Sequence, residues 1–473
     1  MIALDRPAMC GGLVVRLQRL LGAPGQTDVL ALVILVAVGL SLAIGVPVPI
    51  AAALIVVAGG ASVVAPAAAC AAAFAAVPLV LRPVVIGSAR FSLLEIAILL
   101  GALGLGVHLV LAMRRTGVLA ALGALFLPLP ALMVPALMVV VATASLLTVA
   151  APRHFAESLR EYRLVILEPV ILLVLTRWTL RRGGERLILT SVLGAALIVA
   201  GVAVVQVLTG VGSIEADSAR RATGPYTHPN HLALYLERVM LLSSAMALIE
   251  RRVRGRLIPV VAFLGCGLAS TLSRGGLLAV VAGGATIIWL TRSRRAWRWL
   301  MVATVLAVAA FAILAEGRLR ATGSDGTSSS RELIWSASIR MIRDHPIFGV
   351  GLDQFLYQYR PRYIEPAGWA ERYTSHPHNL VLDFWLRLGL GGLLTLGMLG
   401  WALRTLRQAA ARAGGIAIGA AAALTGGVVH GLVDNGFFLP DLAALTWLFL
   451  ALIEHRLRDS CATSWKPTRA DAQ

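Results

Sequence analysis

The chain has 473 residues, of which 58% are hydrophobic and only 14% charged. An ordinary soluble domain, with roughly 25% charged residues, is excluded by that composition, and no segment shows the alternation of a membrane barrel strand. The formal net charge of +18 would suit a nucleic-acid binder, but the arginines sit in short connectors between apolar blocks, so membrane lipids and not nucleic acid are the expected partner.

The apolar blocks have the length of a helix across a bilayer core. In chain order they predict helices at 29–46, 48–64, 66–81, 92–112, 131–150, 164–176, 187–208, 230–249, 257–272, 275–291, 299–315, 380–403, 414–433 and 441–455, with 118–130 as a partial pass. The expected fold is an all-α polytopic membrane protein with roughly twelve to fourteen transmembrane helices. Cys10, Cys70, Cys266 and Cys461 are scattered, which suggests neither a disulfide framework nor a zinc site. No removed signal peptide is expected at the N-terminus.

With residues 1–28 placed in the cytoplasm, alternation of the blocks puts most arginines inside, for example Arg114 and Arg115, Arg251 to Arg256 and Arg292 to Arg298. Both termini, including the tail 456–473, are then cytoplasmic. One long piece, 316–379, falls outside despite its arginines, since long loops translocate regardless of charge. It opens on a polar linker, 322–330, followed by an amphipathic helix over 331–346 that His345 and Pro346 end. Tyr357, Tyr359, Tyr363, Trp369 and Tyr373 follow, suited to a membrane interface or to stacking on sugar rings.

Three polar clusters lie on the outer side. ARRATGPYTHPNHLALYLER (219–238) holds Arg220 and Arg221 ahead of a helix whose N-terminal amides suit an anion; the alternative is two solvated loop arginines. STLSRGGLL (270–278) holds Arg274 between two apolar blocks. Its guanidinium suits a diphosphate, or it snorkels to the interface. SHPHNLVLDFWLRLGLGG (375–392) holds His376, His378 and Asn379 just before a span. A histidine there suits a general base, and either residue also suits a helix cap. Glu215 and Asp217 are a short acidic pair with the makings of a metal site, but no metal is expected. Neither a P-loop nor a G-x-S-x-G motif occurs.

In register, RATGPYTHPNHLALYL (221–236), LSRGGLLAVVAG (272–283), WSASIRMIRDHPIFGVGLDQF (335–355), HPHNLVLDFWLRLGLGGL (376–393) and HGLVDNGFFLPDLAALTWL (430–448) resemble the O-antigen ligase/O-antigen polymerase superfamily. The resemblance covers about 200–455, so 209–455 is expected to be the catalytic region and 29–208 an N-terminal transmembrane bundle. It implies a membrane glycosyltransferase fold of the C type with one large outer loop. It also implies an inverting, metal-independent transfer, without cofactors, of a saccharide from a polyprenyl (undecaprenyl) diphosphate-linked donor to a glycan, lipid or protein hydroxyl. The cell-envelope setting implied is the outer face of a bacterial inner membrane, in polysaccharide biosynthesis. The family's catalytic histidine maps onto His378 and its diphosphate-binding arginines onto Arg221 and Arg274, with Arg220 replacing Arg221 if the register slips by one. Asp434, His376 and Asn379 take supporting roles, Asp434 by pairing with an arginine. A competing reading is a flippase or transporter of a polyprenyl-linked glycan, which expects charged residues such as Glu237, Arg238, Asp383 and Arg387 to line a path.

Overall fold

A computed structural model describes residues 25–118, 129–216, 219–292, 298 and 326–464. Every apolar block that falls on these residues is a helix: α1 (Gln26–Ile44), α2 (Val48–Val64), α3 (Pro66–Ala76), α4 (Leu93–Thr116), α5 (Leu129–Leu147), α7 (Glu168–Arg181) and α8 (Glu185–Thr209), with a short α6 (Phe155–Glu161) before α7. They continue as α9 (Pro229–Ile249), α10 (Arg254–Ala269), α11 (Arg274–Thr291), α12 (Gly326–Asp344), α13 (Leu380–Ala410), α14 (Gly415–Gly431) and α15 (Pro440–Ser464). The expected helix 299–315, most of the partial pass 118–130 and most of the segment 1–28 lie outside the described residues, as do Asp217 and the end of the tail. Among the described residues, six helices are long and apolar enough to cross a membrane, and four more apolar helices are shorter. The protein is an all-α polytopic membrane protein. Its described strands are two antiparallel hairpins, β1 (Pro83–Ile86) with β2 (Ala89–Ser92) and β3 (Ile214–Ala216) with β4 (Ala219–Arg221).

Residues 326–330, expected within a polar linker, form the first turn and more of α12. The Ser and Thr residues there are well suited to helix N-termini, and the helix face behind them packs: Ile334, Ala337, Met341 and Ile342 are buried with Phe355 and Tyr359. The helix stops at Asp344, ahead of Pro346, as the proline requires.

The chain divides into two compact units. In the first, residues 1–76, 82–130 and 171–192, the Ala-rich α3 is buried along nearly its whole length, and small residues let helices approach closely. In the second, residues 77–81, 131–170 and 193–473, α9 and α14 form the centre. Gly419 of α14 lies against the Leu242 backbone of α9, where any Cβ would collide. Lipid tails are as apolar as leucine, so such close packing, rather than hydrophobic exclusion, holds helices together.

Candidate functional site

Three helices of the second unit begin with side-chain caps, and their starts meet. His228 Nδ1 accepts from Asn230 N (3.1 Å) at α9, Ser273 Oγ from Gly276 N (3.2 Å) at α11, and Asn379 Oδ1 from Val381 N and Leu382 N (3.0 and 3.1 Å) at α13. Each cap satisfies amides that the helix leaves open, and each start carries the positive end of a helix dipole. Asn379 also donates to Leu432 O (3.0 Å), tying the α13 start to the end of α14.

A single hydrogen-bonded chain runs across these starts. Arg221 is 5% exposed; its Nε donates to Thr271 O (2.8 Å) and its Nη2 to Asn230 Oδ1 (2.9 Å). Asn230 Nδ2 donates to Asp434 Oδ2 (2.8 Å), and Asp434 Oδ1 lies 3.3 Å from His378 Nδ1 and accepts from Asn435 N at 2.8 Å. His376 stands beside His378, ring centres 4.2 Å apart, with Nε2 at 3.7 Å from Asp434 Oδ1. Arg331 of α12 reaches to 4.0 Å from Asp434 Oδ2. Arg221, Asn230, Asp434, His378, His376 and Arg331 thus belong to one site.

Strand alternation separates the two neighbouring arginines. On β4, Arg221 turns inward and Arg220 outward, where its guanidinium lies beside Gly210 and the strand pairs it opposite Glu215. Arg274 is the first residue of α11 and is exposed, three positions beyond the carbonyl that holds Arg221. A Cβ on Gly275 would collide with the His430 ring, so glycine alone lets the arginine-bearing turn sit this close to α14. Two non-glycine residues of the site's loops have left-handed backbone, Leu272 (φ 48°) and His378 (φ 50°). Such conformations cost energy and persist where the surroundings over-determine them.

The electrostatics favour an anion. Burial pushes the Asp434 carboxyl up, but hydrogen bonds and charge from His376 and His378 outweigh it and hold it well below the ordinary carboxylate range. Asp434 is therefore a carboxylate at neutral pH, and its oxygens face donors on several sides. Burial, and then the charge of His378, lower the His376 pKa. Partial desolvation and the Arg221 cation take His228 down to about 4 against the pull of Asp434, which agrees with its cap bond, since an accepting Nδ1 carries no proton. Asn230, the cap residue Asn379 and His228 are neutral donors or acceptors, so the fixed charge around Asp434 is cationic: Arg221, Arg331 and the start of α11 with Arg274.

The metal question turns on the same groups. His376, His378 and Asp434 each bring a ligand-type atom within 4.8 Å of the others, a spacing that suits a metal ion as well as hydrogen bonds. Asp434 already accepts from Asn230 and Asn435 and faces Arg331, a setting that suits an ion-paired carboxylate better than a cation ligand. Of the acidic pair 215 and 217, Glu215 is exposed on β3 and Asp217 is outside the described residues.

Residues 259–397 match the O-antigen ligase family. The chain carries an O-antigen ligase region. A search of curated proteins returned no match. The O-antigen ligase region contains Arg274, Arg331, His376 and His378, whereas Arg221, Asn230 and Asp434 lie outside the matched stretch and reach it only through the fold. The family match, together with the apolar helices, supports a membrane glycan enzyme of the O-antigen ligase/polymerase type, with a glycan donor and acceptor in a membrane. Charged residues of its apolar helices are held in pairs: Glu237 with His430 (2.8 Å), Arg238 with Gly436 O (2.8 Å), and Arg387 with both Asp383 (2.7 Å) and Glu161. Buried charges partnered in this way are costly to separate; a carrier reading expects charged groups along a water-filled path.

Asn230, Arg331 and His228 were not foreseen from the sequence. Asn230 stands inside TGPYTHPNHL and directly after a helix-starting proline, a signal for a capping position, but its partner Asp434 is 204 residues away.

Proposed function

We propose that this protein is an inverting, metal-independent glycosyltransferase that moves a saccharide from polyprenyl diphosphate to an acceptor hydroxyl at the extracytoplasmic face of a bacterial inner membrane. The observation that carries the reading is the hydrogen-bonded chain from Arg221 through Asn230 and Asp434 to His378, which couples a buried guanidinium to an imidazole in one site.

The chemistry follows from the groups. With Nδ1–H donating to the Asp434 carboxylate, His378 keeps its Nε2 lone pair for the acceptor. As the acceptor oxygen bonds to the anomeric carbon, its proton passes to Nε2. The bond from that carbon to the phosphate oxygen breaks on the opposite face, and the electron pair leaves with polyprenyl diphosphate. Arg274 and Arg221, together with the starts of α9 and α11, stabilise the charge gathering on the diphosphate, while Arg331 holds the donor phosphates in ground and transition states alike. Arg221 is positioned by Thr271 O and Asn230, so it supplies fixed charge. Exposed Arg274 is the more accessible hand for the phosphates. Asn379 caps α13 and fixes the backbone next to His378.

The test uses purified full-length protein in detergent or liposomes with a polyprenyl-diphosphate-linked glycan and a hydroxyl acceptor. Expected is glycosylated acceptor together with free polyprenyl diphosphate in equal amount, and with no dependence on added divalent ion or chelator. His378→Ala is expected to lower turnover by about 10²–10⁴-fold and to leave donor binding in place. Wild-type turnover in that variant would remove His378 from the chemistry.

A further inference from the structure

The piece of chain between α12 and the Phe355–Gln358 turn does not behave as a loop in water. Gly389 of α13 takes φ +64° and interrupts the helix within the candidate span Leu380–Arg407, about a third of the way along it. A break at that depth opens backbone groups, which in hydrocarbon must find partners within the protein. Pro346–Leu352 supplies them. Leu386 O accepts from Val350 N (2.6 Å) and Gly351 N (3.2 Å), and Leu390 N donates to Ile347 O (2.9 Å).

Most of the segment's own carbonyls accept hydrogen bonds in turn. Trp385 Nε1 donates to Pro346 O (2.8 Å), Ala150 N to Val350 O (2.9 Å), Gln354 N to Gly351 O (3.3 Å) and Ser158 Oγ to Leu352 O (2.5 Å). A Cβ on Gly349 would strike the carbonyls of Trp385 and Leu386, so glycine is required for this approach. PIFGVGL (346–352) contains no charged or polar side chain. Irregular backbone is tolerated at membrane depth where its polar groups turn to the protein, and here most carbonyls are bonded to the protein and no side chain is polar.

Ile347 and Phe348 nevertheless point away from the protein, 57% and 56% exposed. Ile347 is bonded to Leu390, which is 50% exposed on α13, and Leu394 one turn further on is 57% exposed. On the other flank, Leu147 at the end of α5 is 85% exposed, three residues before the Ala150 that holds Val350. The apolar tip is therefore continuous with exposed apolar residues of α13, a candidate span, and of the shorter apolar helix α5.

We propose that Pro346–Leu352 is a re-entrant wedge of the outer loop, with Ile347 and Phe348 inserted among bilayer acyl chains. The wedge holds the amphipathic α12, and Arg331 with it, down against the membrane. This inference rests on α13 being a span and stands apart from the glycosyltransferase reading.

The test is membrane depth. In full-length protein with its cysteines replaced by alanine and reconstituted into phosphatidylcholine liposomes, a nitroxide is attached at Phe348→Cys and, separately, at Ala370→Cys in the exposed Pro366–Glu371 turn. At 348, collision with oxygen is expected to exceed collision with a water-soluble nickel chelate, and at 370 the order is expected to reverse. Ile347→Cys carries the same expectation if the label disturbs position 348. Nickel-dominated collision at 347 and 348, equal to that at 370, overturns the proposal. So does low access to both relaxants with dipolar broadening between labels, which marks a contact between two copies.

Discussion

His378 Nδ1 and Asp434 Oδ1 lie 3.3 Å apart although 56 positions separate them in the chain. In the proposed reaction the carboxylate holds the ring in one orientation and one tautomer, with Nε2 left to the acceptor. Asp434→Asn keeps the shape and removes the charge. The variant is expected to fold, to bind donor with little change, and to lose about 10²-fold in turnover, within the contribution of a general base. Steady-state kinetics with varied donor separate the two quantities, and a variant with raised donor KM and unchanged kcat would assign Asp434 to binding.

Arg221 and Arg220 are adjacent in sequence and opposite in setting. Arg221→Ala removes two hydrogen bonds from a buried cation, to Thr271 O and to Asn230, and is expected to cost about 2–4 kcal/mol in stability as well as activity. Arg220→Ala, on the exposed side of β4, is expected to stay within about 0.5 kcal/mol of the parent with activity intact. Thermal unfolding in detergent and the turnover assay measure both. Arg221→Lys is expected to resemble the alanine variant, because an ammonium cannot make the planar two-point contact.

Arg331 arrives from α12, 4.0 Å from Asp434 Oδ2. A guanidinium that helps bind the diphosphate in ground and transition states alike changes KM more than kcat. Arg331→Ala is expected to raise the donor KM about tenfold, equivalent to ~1.4 kcal/mol of binding. Direct binding of free polyprenyl diphosphate should weaken in parallel. Unchanged affinity would remove Arg331 from the donor site.

His228 has a pKa lowered to about 4, below its ordinary 6.5. Between those values the unfolded chain binds a proton that the folded protein does not. The stability contributed is therefore complete above about pH 6.5 and falls as the pH drops toward 4, where the cap bond to Asn230 N is broken by protonation of Nδ1. His228→Asn retains a good cap without a titrating group. Its unfolding temperature is expected to depend less on pH across that window than the wild type's, and parallel profiles would show that the ring does not titrate there.

How much of this was visible along the chain differs from element to element. The long apolar helices were legible because bilayer thickness dictates their length and the solvent dictates their composition, and the starts of α9, α11 and α13 lie within one residue of the sequence expectation. The helical character of 326–330 was not legible, because the packing of Ile334, Ala337 and Met341 lies further along the helix than the polar residues it extends into. The clusters around Arg221, Arg274 and His378 were legible as motifs. Asn230 as the joint between Arg221 and Asp434 was not, since its meaning lies in a residue 204 positions away. Asp434 was expected to pair with an arginine; in the fold it approaches Arg331 but lies closer to His378.

By itself the sequence determined that this is a many-helix membrane protein with polar clusters of O-antigen ligase type, because hydropathy and motif spacing are local properties. Which arginine turns inward, which carboxylate lies against the imidazole, and which segment bonds to the break in α13 were decided only by the tertiary structure. Each depends on where backbone groups left open in one segment find partners in another, and a linear pattern carries no record of such pairings across a few hundred residues.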